Sequence, residues 1–264
     1  MIRAVRQHSL ESAVRAAGID APAVFSEETA STSTDARELA EAGAPEWTVV
    51  ATNHQTGGRG RLGRSWVSVP GKLLQFSVVL RPALPPQRIS LLSYLAATEV
   101  IEASSATCGV EVRAKWPNDV VASERKLAGI LPEALIEEGK VGFVILGIGI
   151  NLSMGEEDFP GEIRGLATSL AMEGAPTIDD AAILQEILRG LADAYKPWSE
   201  AFPDAVLRAY ALHCVTLGRR VKARTTAGDL VEGTAERLGA NGELVLVDGA
   251  SELLVAFGEV EHLE

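Results

Sequence analysis

Three extended runs between residues 110 and 153 constrain the fold more than any other part of the chain. They read VEVRAKWPNDVVAS, KLAGILPEALIEE and KVGFVILGIGINLS. Aliphatic and β-branched runs of this kind, bounded by turn residues, are typical of β-strands. The connections between them are short, which favours antiparallel pairing because a parallel crossover needs about a dozen residues or more. The centre of the chain is therefore predicted to be a set of consecutive antiparallel strands.

Helical and extended patterns alternate on either side of these strands. The first 25 residues predict a short helix followed by a connector, and a second helix is predicted to end at Gly43. Helical apolar spacing recurs over residues 88–104 and again in 179–213, where Pro203 is predicted to separate two helices. WTVVATNHQ and LLQFSVVLRP read as further strands. This mixture predicts an α+β main domain.

The C-terminal fifth of the chain has a different pattern. From Val215 onward it consists of short alternating runs, RVKART, LVEGTAERL, ELVLVD and ELLVAFG. The intervening TAGD, ANGE and DGAS are good hairpin-turn sequences. We expect a small β-barrel here, and therefore two domains, residues 1–214 and 215–264.

Composition excludes several classes of protein. The apolar fraction of 47% and the charged fraction of 23% are those of an ordinary globular chain. No signal peptide and no apolar run long enough to span a membrane is present. Cys108 and Cys214 form neither a CxxC pair nor a zinc motif. A cytoplasmic protein is expected, and the net charge of −12 argues against a general nucleic-acid binder.

The segment GGRGRLGRSW, residues 57–66, carries positive charge in this acidic chain. It lies in a window, residues 47–98, that contains six Arg or Lys residues and no Asp or Glu. Glycines let backbone N–H groups approach a ligand, and Arg side chains match carboxylate and phosphate. The window predicts a local anion site. A flexible solvated loop and an RNA-binding Arg/Gly segment remain alternatives, and the GxGxxG pattern within it is weak evidence for a nicotinamide site without a βαβ unit.

AKWPNDVV, residues 114–121, places polar residues between two apolar strands. Pro117 followed by Asn118 and Asp119 is also what a plain hairpin turn looks like. Lys115 and Trp116 are unusual choices for a turn alone, and Asp119 could face a metal or a cation. Both interpretations stay open at this point.

Two more strands carry polar or glycine residues. Lys126 begins an otherwise apolar strand, where a lysine is usually just solvated. Gly129, inside that strand, indicates close approach by a ligand or by another backbone. LGIGINLS, residues 146–153, ends a hydrophobic strand with two glycines and Asn151.

In this order and spacing, the motifs resemble those of the biotin–protein ligases. The resemblance covers roughly residues 26–264 and includes the small C-terminal barrel. It rests on STD at 33–35, Q-x-x-G-R-G-R-x-G-R-x-W at 55–66, KWPND at 115–119, RKLAGIL at 125–131 and GIGINL at 147–152. Together, G-R-G-R-x-G-R and KWPND are too specific to expect by chance.

The resemblance implies a fold and a reaction. The fold is a mixed sheet of the class II aminoacyl-tRNA-synthetase and biotin-ligase type with flanking helices, plus a C-terminal SH3-like β-barrel. In the reaction, ATP converts biotin to biotinyl-5′-AMP, and a lysine of a biotin carboxyl carrier domain of an acyl-CoA carboxylase then displaces AMP. ATP, biotin and Mg²⁺ are implied, with the metal ligands unassigned. The first step brings a carboxylate to a polyanion, so fixed cations are needed.

The resemblance also implies roles for individual residues. Lys126 is the first choice for the catalytic cation, bridging the biotin carboxylate and the α-phosphate. Arg59 and Asp119 complete the catalytic set, with Asp119 activating the acceptor lysine or holding metal. Biotin binding is implied for Ser33, Thr34, Asp35, Gln55, Arg59, Gly60, Arg61 and Lys126. Nucleotide binding is implied for Arg61, Arg64, Trp66, Asn118, Lys126 and Asn151.

One motif departs from the family pattern. The family's S-T-N reads Ser33-Thr34-Asp35 here. An Asp could cap the following helix as Asn does. Its carboxylate would, however, repel a bound carboxylate or phosphate, which weakens a direct ligand role for Asp35.

The resemblance carries expectations about partners and motion. About 30 residues precede Ser33, fewer than the roughly 50 of a small domain. The family's optional N-terminal DNA-binding domain is therefore not expected, and neither is DNA or membrane binding. We expect a monomer or weak homodimer, with a glycine-rich loop that is mobile until ligand binds.

Two rival functions remain open. A lipoate or octanoate ligase or transferase shares the fold and the chemistry of lysine acylation. A non-enzymatic nucleic-acid-binding protein is the rival from another class, and the acidic net charge and the near absence of aromatic residues from the barrel, which has only Phe257, count against it.

Overall fold

The computed structural model describes residues 6–195, 202–225, 228–256 and 258–263. A sheet of seven strands dominates the first part of this structure, with the order β1-β2-β3-β7-β6-β5-β4. Only β1 and β2 run parallel, and every other neighbouring pair is antiparallel. The strands are β1 (Ala23–Thr29), β2 (Val49–Gln55), β3 (Leu73–Leu80), β4 (Arg113–Lys115), β5 (Asp119–Ala122), β6 (Arg125–Glu137) and β7 (Lys140–Asn151).

Helices cover both faces of this sheet. The α-helices of the described ranges are α1 (Gln7–Ala16), α2 (Thr32–Glu41), α3 (Ser90–Cys108), α4 (Asp180–Tyr195) and α5 (Phe202–His213). The large core lies on the face that α3 covers, and a smaller cluster lies beneath α2 on the other face. The α+β class expected from the sequence is confirmed.

The alternation of side chains along β7 explains where the sheet is left open. Successive residues of a strand point to opposite faces. Leu146 and Ile148 therefore join the large core, whereas Ile145 packs beneath α2. The α2 face of β7 then continues as Gly147 and Gly149. With no side chains at these two positions, the sheet surface beyond the first turn of α2 is bare.

Two local expectations differ from the structure. Residues 23–29 form β1, whose first residues fall in the connector expected within the first 25 residues; the strand has few buried side chains and gives only a weak sequence signal. Asp35 does not cap α2, because Ser31 occupies the N-cap position and Asp35 lies within the first turn. There its charge interacts favourably with the positive end of the helix dipole.

The predicted strand over residues 110–123 is two short strands. Trp116, Pro117 and Asn118 form the turn between β4 and β5, so the hairpin interpretation of this motif is correct. The predicted separation of the last two helices at Pro203 is wrong by a few residues. Pro203 is the second residue of α5, a position that tolerates proline because the first helical N–H groups have no partner within the helix. Residues 196–201, between the two helices, lie outside the described residues.

The C-terminal part forms a second, antiparallel sheet with the order β11-β10-β9-β8-β12. Its strands are β8 (Arg220–Thr225), β9 (Leu230–Leu238), β10 (Leu244–Asp248), β11 (Ser251–Val255) and β12 (Gly258–His262). Its two edge strands, β11 and β12, do not pair with each other within the described residues, so the expected barrel is not closed. Phe257, the aromatic residue expected there, lies outside the described residues. The division at residue 214 stays a prediction.

A buried polar contact joins the two sheets. The backbone carbonyl of Gly242, just before β10, accepts hydrogen bonds from the Tyr94 hydroxyl at 2.5 Å and from the Trp116 indole N–H at 3.1 Å. Both aromatic side chains are fully buried. The hydrophobic core is also continuous from the first sheet to residues of the second, including Val221 and Leu244. Trp116, unusual for a turn alone, therefore fastens the turn between β4 and β5 to the second sheet.

Two absences expected from the sequence concern membranes and cysteines. Within the described ranges, no helix is both long and apolar enough to cross a bilayer. Cys108 and Cys214 are buried and free, as the lack of a cysteine motif predicts.

We predict that Glu99 makes the stability of the protein pH-dependent. Burial between α3 and α4, followed by the negative charges of Glu102 and Asp193, raises the pKa of Glu99 to about 7. Because this pKa exceeds its value in the unfolded chain, the free energy of unfolding falls as the pH rises from about 4.5 to about 7. Glu99→Gln removes this fall. The melting temperature of the variant minus that of the wild type should therefore be larger at pH 8 than at pH 5.

Thermal unfolding at both pH values measures this effect, with Glu38→Gln on the exposed side of α2 as the control. A melting-temperature difference between Glu99→Gln and wild type that is the same at pH 5 and pH 8 contradicts the prediction.

Candidate functional site

A cavity of about 370 Å³ opens on the bare part of the first sheet. Its floor is formed by β6 and β7, one side by the first turn of α2, and another by the Arg/Gly segment that follows β2. The turn between β4 and β5 and the β12 strand of the second sheet close the remaining sides. The cavity therefore collects segments that are far apart in the sequence.

The floor of the cavity carries a tryptophan that only glycines can accommodate. Gly129 and Gly149 face each other across β6 and β7, and the indole ring of Trp66 lies against both. A Cβ at Gly149 would be 2.8 Å from Cε2 of Trp66, and one at Gly129 would be 3.1 Å from Cζ3. Gly129 is closely approached, as expected, but by the side chain of Trp66 and not by the ligand or backbone that the sequence suggests.

Lys126 points into the cavity beside this ring. Its Nζ lies 2.7 Å from Oδ1 of Asp119 and 5.8 Å from the centroid of the Trp66 ring. The Lys126 side chain keeps 39% of its surface exposed. An ammonium held by a carboxylate and an aromatic face, and still open to solvent, can accept an anionic ligand without being buried alone.

The backbone of Lys126 is fixed by a segment distant in sequence. Its N–H donates to the carbonyl of Leu166 at 2.8 Å, and its carbonyl accepts from the N–H of Thr168 at 2.9 Å. The side-chain amide of Asn151 donates to the carbonyl of Thr168 at 2.8 Å. Asn151 is almost fully buried, so its amide group helps to hold this segment against β6.

A partly buried carboxylate lies behind the same segment. Glu173 accepts hydrogen bonds from Thr168 at 2.6 Å, Arg125 at 2.7 Å and Ser123 at 2.9 Å. Burial acts to raise the pKa of Glu173, but the bonds from Thr168, Ser123 and Arg125 outweigh it and leave the pKa below its usual value. Glu173 is therefore an ionised acceptor with three donors.

The Arg/Gly segment is a small hairpin rather than an irregular loop. The N–H of Trp66 donates to the carbonyl of Gly58 at 2.9 Å, and that of Gly60 to the carbonyl of Arg64 at 2.7 Å. A Cβ at Gly58 would lie 2.8 Å from the Trp66 carbonyl, which explains the glycine there. Leu62, at the tip, has a positive φ of 55° and is 67% exposed. Mobility of this hairpin stays a prediction.

The arginines of the hairpin have partners in this structure. Arg59 donates to Oε2 of Glu133 at 2.9 Å. Arg61 donates to Oδ1 of Asn118 at 2.9 Å and to the carbonyl of Gly258 at 3.3 Å. The side chain of Asn118 is itself held, because its amide donates to the carbonyl of Ile130. Arg61 therefore links the hairpin to the turn between β4 and β5 and to β12.

A polar network forms the side of the cavity next to α2. The Oε1 atom of Gln55 accepts from the N–H of Thr32 at 2.8 Å, and its amide donates to Gln75 at 3.0 Å. The hydroxyl groups of Thr32 and Ser33 lie 2.8 Å and 3.1 Å from that of Ser77. A neutral polar ligand could find both donors and acceptors here, because hydroxyl groups and side-chain amides can each donate and accept hydrogen bonds.

The second sheet reaches the cavity through β12. Gly258 and Val260 line the cavity. His262, at the end of this strand, bonds Thr216 at 3.3 Å and Arg219 at 3.2 Å. Burial, followed by the positive charges of Lys115 and Arg219, lowers the pKa of His262. One wall of the site therefore belongs to the second sheet.

The structure brings together nearly all of the site residues expected from the sequence. Of the expected residues, those that line the cavity are Ser33, Gln55, Arg59, Gly60, Arg61, Arg64, Trp66, Asn118, Asp119, Lys126 and Asn151. Thr34 and Asp35 are not among its lining residues. Successive side chains of a helix point about 100° apart. If Ser33 faces the cavity, Thr34 and Asp35 therefore point in other directions. Contact of Thr34 and Asp35 with a ligand is therefore not supported by this arrangement.

Some lining residues had no sequence prediction. Thr32 precedes the expected motif, and Phe159, Ile163 and Leu166 belong to a stretch without regular periodicity. Several of this group pack beside Trp66 in a separate apolar cluster. Only the glycines of β7 gave an indirect signal that a bulky side chain would cover that strand.

Within the described residues, no group of three or more His, Cys, Asp or Glu side chains could hold a metal ion. Among the described residues that line the cavity, Asp119 alone carries a carboxylate. Nucleotide-bound Mg²⁺ typically uses one or two protein carboxylates together with phosphate oxygens and water. The donor set fits a metal that arrives with a phosphate ligand.

Comparisons with known proteins agree on one family. Residues 25–151 match the biotin/lipoate A/B protein ligase family. The biotin–[acetyl-CoA-carboxylase] ligase of Mycobacterium tuberculosis is 34% identical over 241 residues, which cover 89% of this chain and 87% of that protein. The bifunctional ligase/repressor BirA of Bacillus subtilis is 35% identical over 224 residues, covering 85% and 68%. The biotin protein ligase of Aquifex aeolicus in complex with biotin and ATP superposes with a TM-score of 0.77 at 26% identity, covering 92% of this chain and 98% of that one.

Gly149→Ala should destabilise the protein because the new methyl group would overlap the Trp66 indole. We expect a loss of about 1–3 kcal/mol in the free energy of unfolding, the usual cost of overpacking, measured by chemical denaturation.

Gly161→Ala is the matched control, since a Cβ there meets nothing within 4 Å. Combining Gly149→Ala with Trp66→Leu should restore part of the loss. If Gly149→Ala unfolds at the wild-type denaturant midpoint, packing of the Trp66 indole does not require a glycine at position 149.

Proposed function

Because the chain belongs to the biotin protein ligases of the biotin/lipoate A/B protein ligase family, we propose that it activates biotin with ATP to biotinyl-5′-AMP and transfers biotin to a lysine of an acceptor protein. The observation that carries the proposal is the cavity itself. It gathers Lys126, Arg59, Arg61 and Arg64 around a single lining carboxylate in a chain of net charge −12.

The charge arrangement suits the first step of this reaction. A carboxylate oxygen of biotin attacks the α-phosphorus of ATP, and pyrophosphate leaves. Both reactants are anions, so their approach requires cations that are already in place. We assign to Lys126 the contact with the biotin carboxylate and the α-phosphate, and to Arg59, Arg61 and Arg64 the remaining negative charge.

The neutral parts of the ligands have matching surfaces. We assign the polar network of Ser33 and Gln55 to the ureido ring of biotin, whose N–H and C=O groups need both acceptors and donors. Gly60 allows the hairpin backbone to approach the ligand. Trp66, with Asn118 and Asn151 nearby, is assigned to the nucleotide.

In the second step, the ε-amine of the acceptor lysine attacks the carbonyl of the mixed anhydride, and AMP leaves. The amine must lose a proton to form the amide. Asp119 is the carboxylate of the cavity that could accept it, once ligand binding changes its pairing with Lys126. Closure of the hairpin over the adenylate would exclude water from the anhydride.

The proposal includes Mg²⁺ bound to ATP. When bound, the ion would neutralise phosphate charge. Asp119 is the carboxylate among the described lining residues of the cavity that could coordinate it. The other cationic groups act on the substrates directly.

The acceptor, the oligomeric state and the domain division belong to the same proposal. We propose the biotin carboxyl carrier domain of an acyl-CoA carboxylase as acceptor, which the names of relatives such as the Mycobacterium tuberculosis ligase support. We also propose a cytoplasmic monomer or weak homodimer that does not bind DNA, and a division into domains at residues 214 and 215. The net charge of −12 supports the absence of DNA binding.

The exchange of labelled pyrophosphate into ATP tests the proposed function. The purified protein should catalyse it with biotin and not with lipoate, and should then label a carboxylase carrier domain with biotin. Exchange with lipoate but not with biotin would transfer the assignment to the rival branch of the family. Salt-sensitive RNA binding without any exchange would exclude both ligases.

Lys126→Ala should lower biotin-dependent exchange at least about 100-fold, because removal of one preorganised electrostatic contact in a reacting site typically costs that much. Lys140→Ala, an exposed lysine at the start of β7, is the matched control and should retain activity. Circular dichroism should show both variants folded. Near-normal exchange by Lys126→Ala would remove Lys126 from the mechanism.

A further inference from the structure

The turn before Lys126 is held in an unfavourable conformation. Ser123 and Glu124 connect β5 to β6, and their φ angles are 48° and 64°. A two-residue turn of this kind usually contains Asn and Gly, because other residues rarely adopt positive φ. The conformation persists only if the surroundings fix it.

Glu173 provides one of these fixed points. Its Oε2 atom accepts from the hydroxyl of Ser123 at 2.9 Å, while Oε1 accepts from Arg125 at 2.7 Å. The same Oε1 accepts from the hydroxyl of Thr168 at 2.6 Å. The side chain of Glu173 is only 10% exposed, so these contacts form in a partly dehydrated environment where charge-assisted bonds are strong.

The three donors surround Lys126 along the chain and in space. Arg125 is its neighbour in sequence, and Ser123 lies in the turn just before it. Thr168 belongs to the segment whose Leu166 carbonyl accepts from the N–H of Lys126 at 2.8 Å, and the N–H of Thr168 itself donates to the carbonyl of Lys126 at 2.9 Å. A single carboxylate therefore joins the turn before Lys126, its neighbour in sequence and the segment that hydrogen-bonds its backbone.

We propose that Glu173 is a positioning residue that sets the location of the Lys126 ammonium in the cavity without touching substrate. The inference rests on the proposed function of Lys126. A lysine side chain is flexible, so the position of its ammonium is defined only if both its backbone and the ammonium itself are held by contacts. Asp119 and Trp66 contact the ammonium, and Glu173 holds the backbone on either side of Lys126. A misplacement of about 1 Å in such a group is enough to cost a large factor in rate.

Glu173→Gln tests the proposal in the full-length protein. Gln retains the shape of Glu but replaces the charge, and one of its two ends can no longer accept a hydrogen bond. We expect kcat for biotin-dependent pyrophosphate exchange to fall about tenfold or more. With saturating, chemically prepared biotinyl-5′-AMP, transfer of biotin to a carrier domain should stay within threefold of wild type, because the adenylate is then already formed and its weaker binding does not limit the rate.

A matched control separates positioning from stability. Ile187→Val removes one methylene from the core of α4, far from the turn, and should lower the melting temperature while retaining full exchange. If Ile187→Val and Glu173→Gln melt at similar temperatures but only the latter loses exchange, loss of stability does not explain the effect. Exchange by Glu173→Gln within twofold of wild type overturns the proposal.

A double-mutant cycle shows whether Glu173 acts through Lys126. The affinity for a non-hydrolysable biotinyl-adenylate analogue is measured by calorimetry in wild type, Glu173→Ala, Lys126→Ala and the double variant. We expect Glu173→Ala to weaken binding several-fold in the wild type and to change it less than twofold when Lys126 is already absent. An equal loss in both backgrounds overturns the proposal. A wild-type protein without biotin-dependent exchange would instead refute the proposed function.

Discussion

The contact between the Trp66 indole and the paired glycines Gly129 and Gly149 is the constraint on which the site depends. Two missing Cβ atoms on adjacent strands leave enough room for a ring to lie flat on the sheet. The ring in turn forms the surface beside Lys126 and anchors the end of the Arg/Gly hairpin. A substitution of either glycine would therefore shift Trp66 and, with it, the surroundings of Lys126 and the Arg/Gly hairpin, even if no ligand contacts the glycines.

The second organising feature is that two cations of the site have carboxylate partners in the structure. Lys126 pairs with Asp119, and Arg59 pairs with Glu133. A cluster of unpaired positive charges in a partly enclosed cavity would destabilise the fold through repulsion and desolvation. Pairing reduces that cost, and anionic substrates can replace the carboxylates in turn.

Much of this arrangement could be predicted from the sequence because motif residues at strand ends meet on one edge or face of a sheet. Most of the strands and the five helices of the described ranges followed from patterns within short segments, and the family motifs named the expected residues that line the cavity. Other features depend on packing between distant segments. Lys126 lies against Ala167, and Trp116 against Gly242, and neither neighbour has a pattern that indicates such a contact. The motif at 33–35 includes Thr34 and Asp35 because its residues are consecutive in sequence. In a helix, consecutive side chains point in different directions, and only Ser33 of the three lines the cavity.

The carbonyl of Gly242 has a consequence for anyone who wishes to divide this enzyme. A cut between residues 214 and 215 would leave the Tyr94 hydroxyl and the Trp116 indole without their shared acceptor in a buried setting. Each such loss costs about 1–3 kcal/mol. The first fragment would also lose the strand that supplies Gly258 and Val260 to the cavity wall. Neither fragment would therefore contain a complete site, and labelling of the acceptor by a mixture of the two would report that they had reassembled.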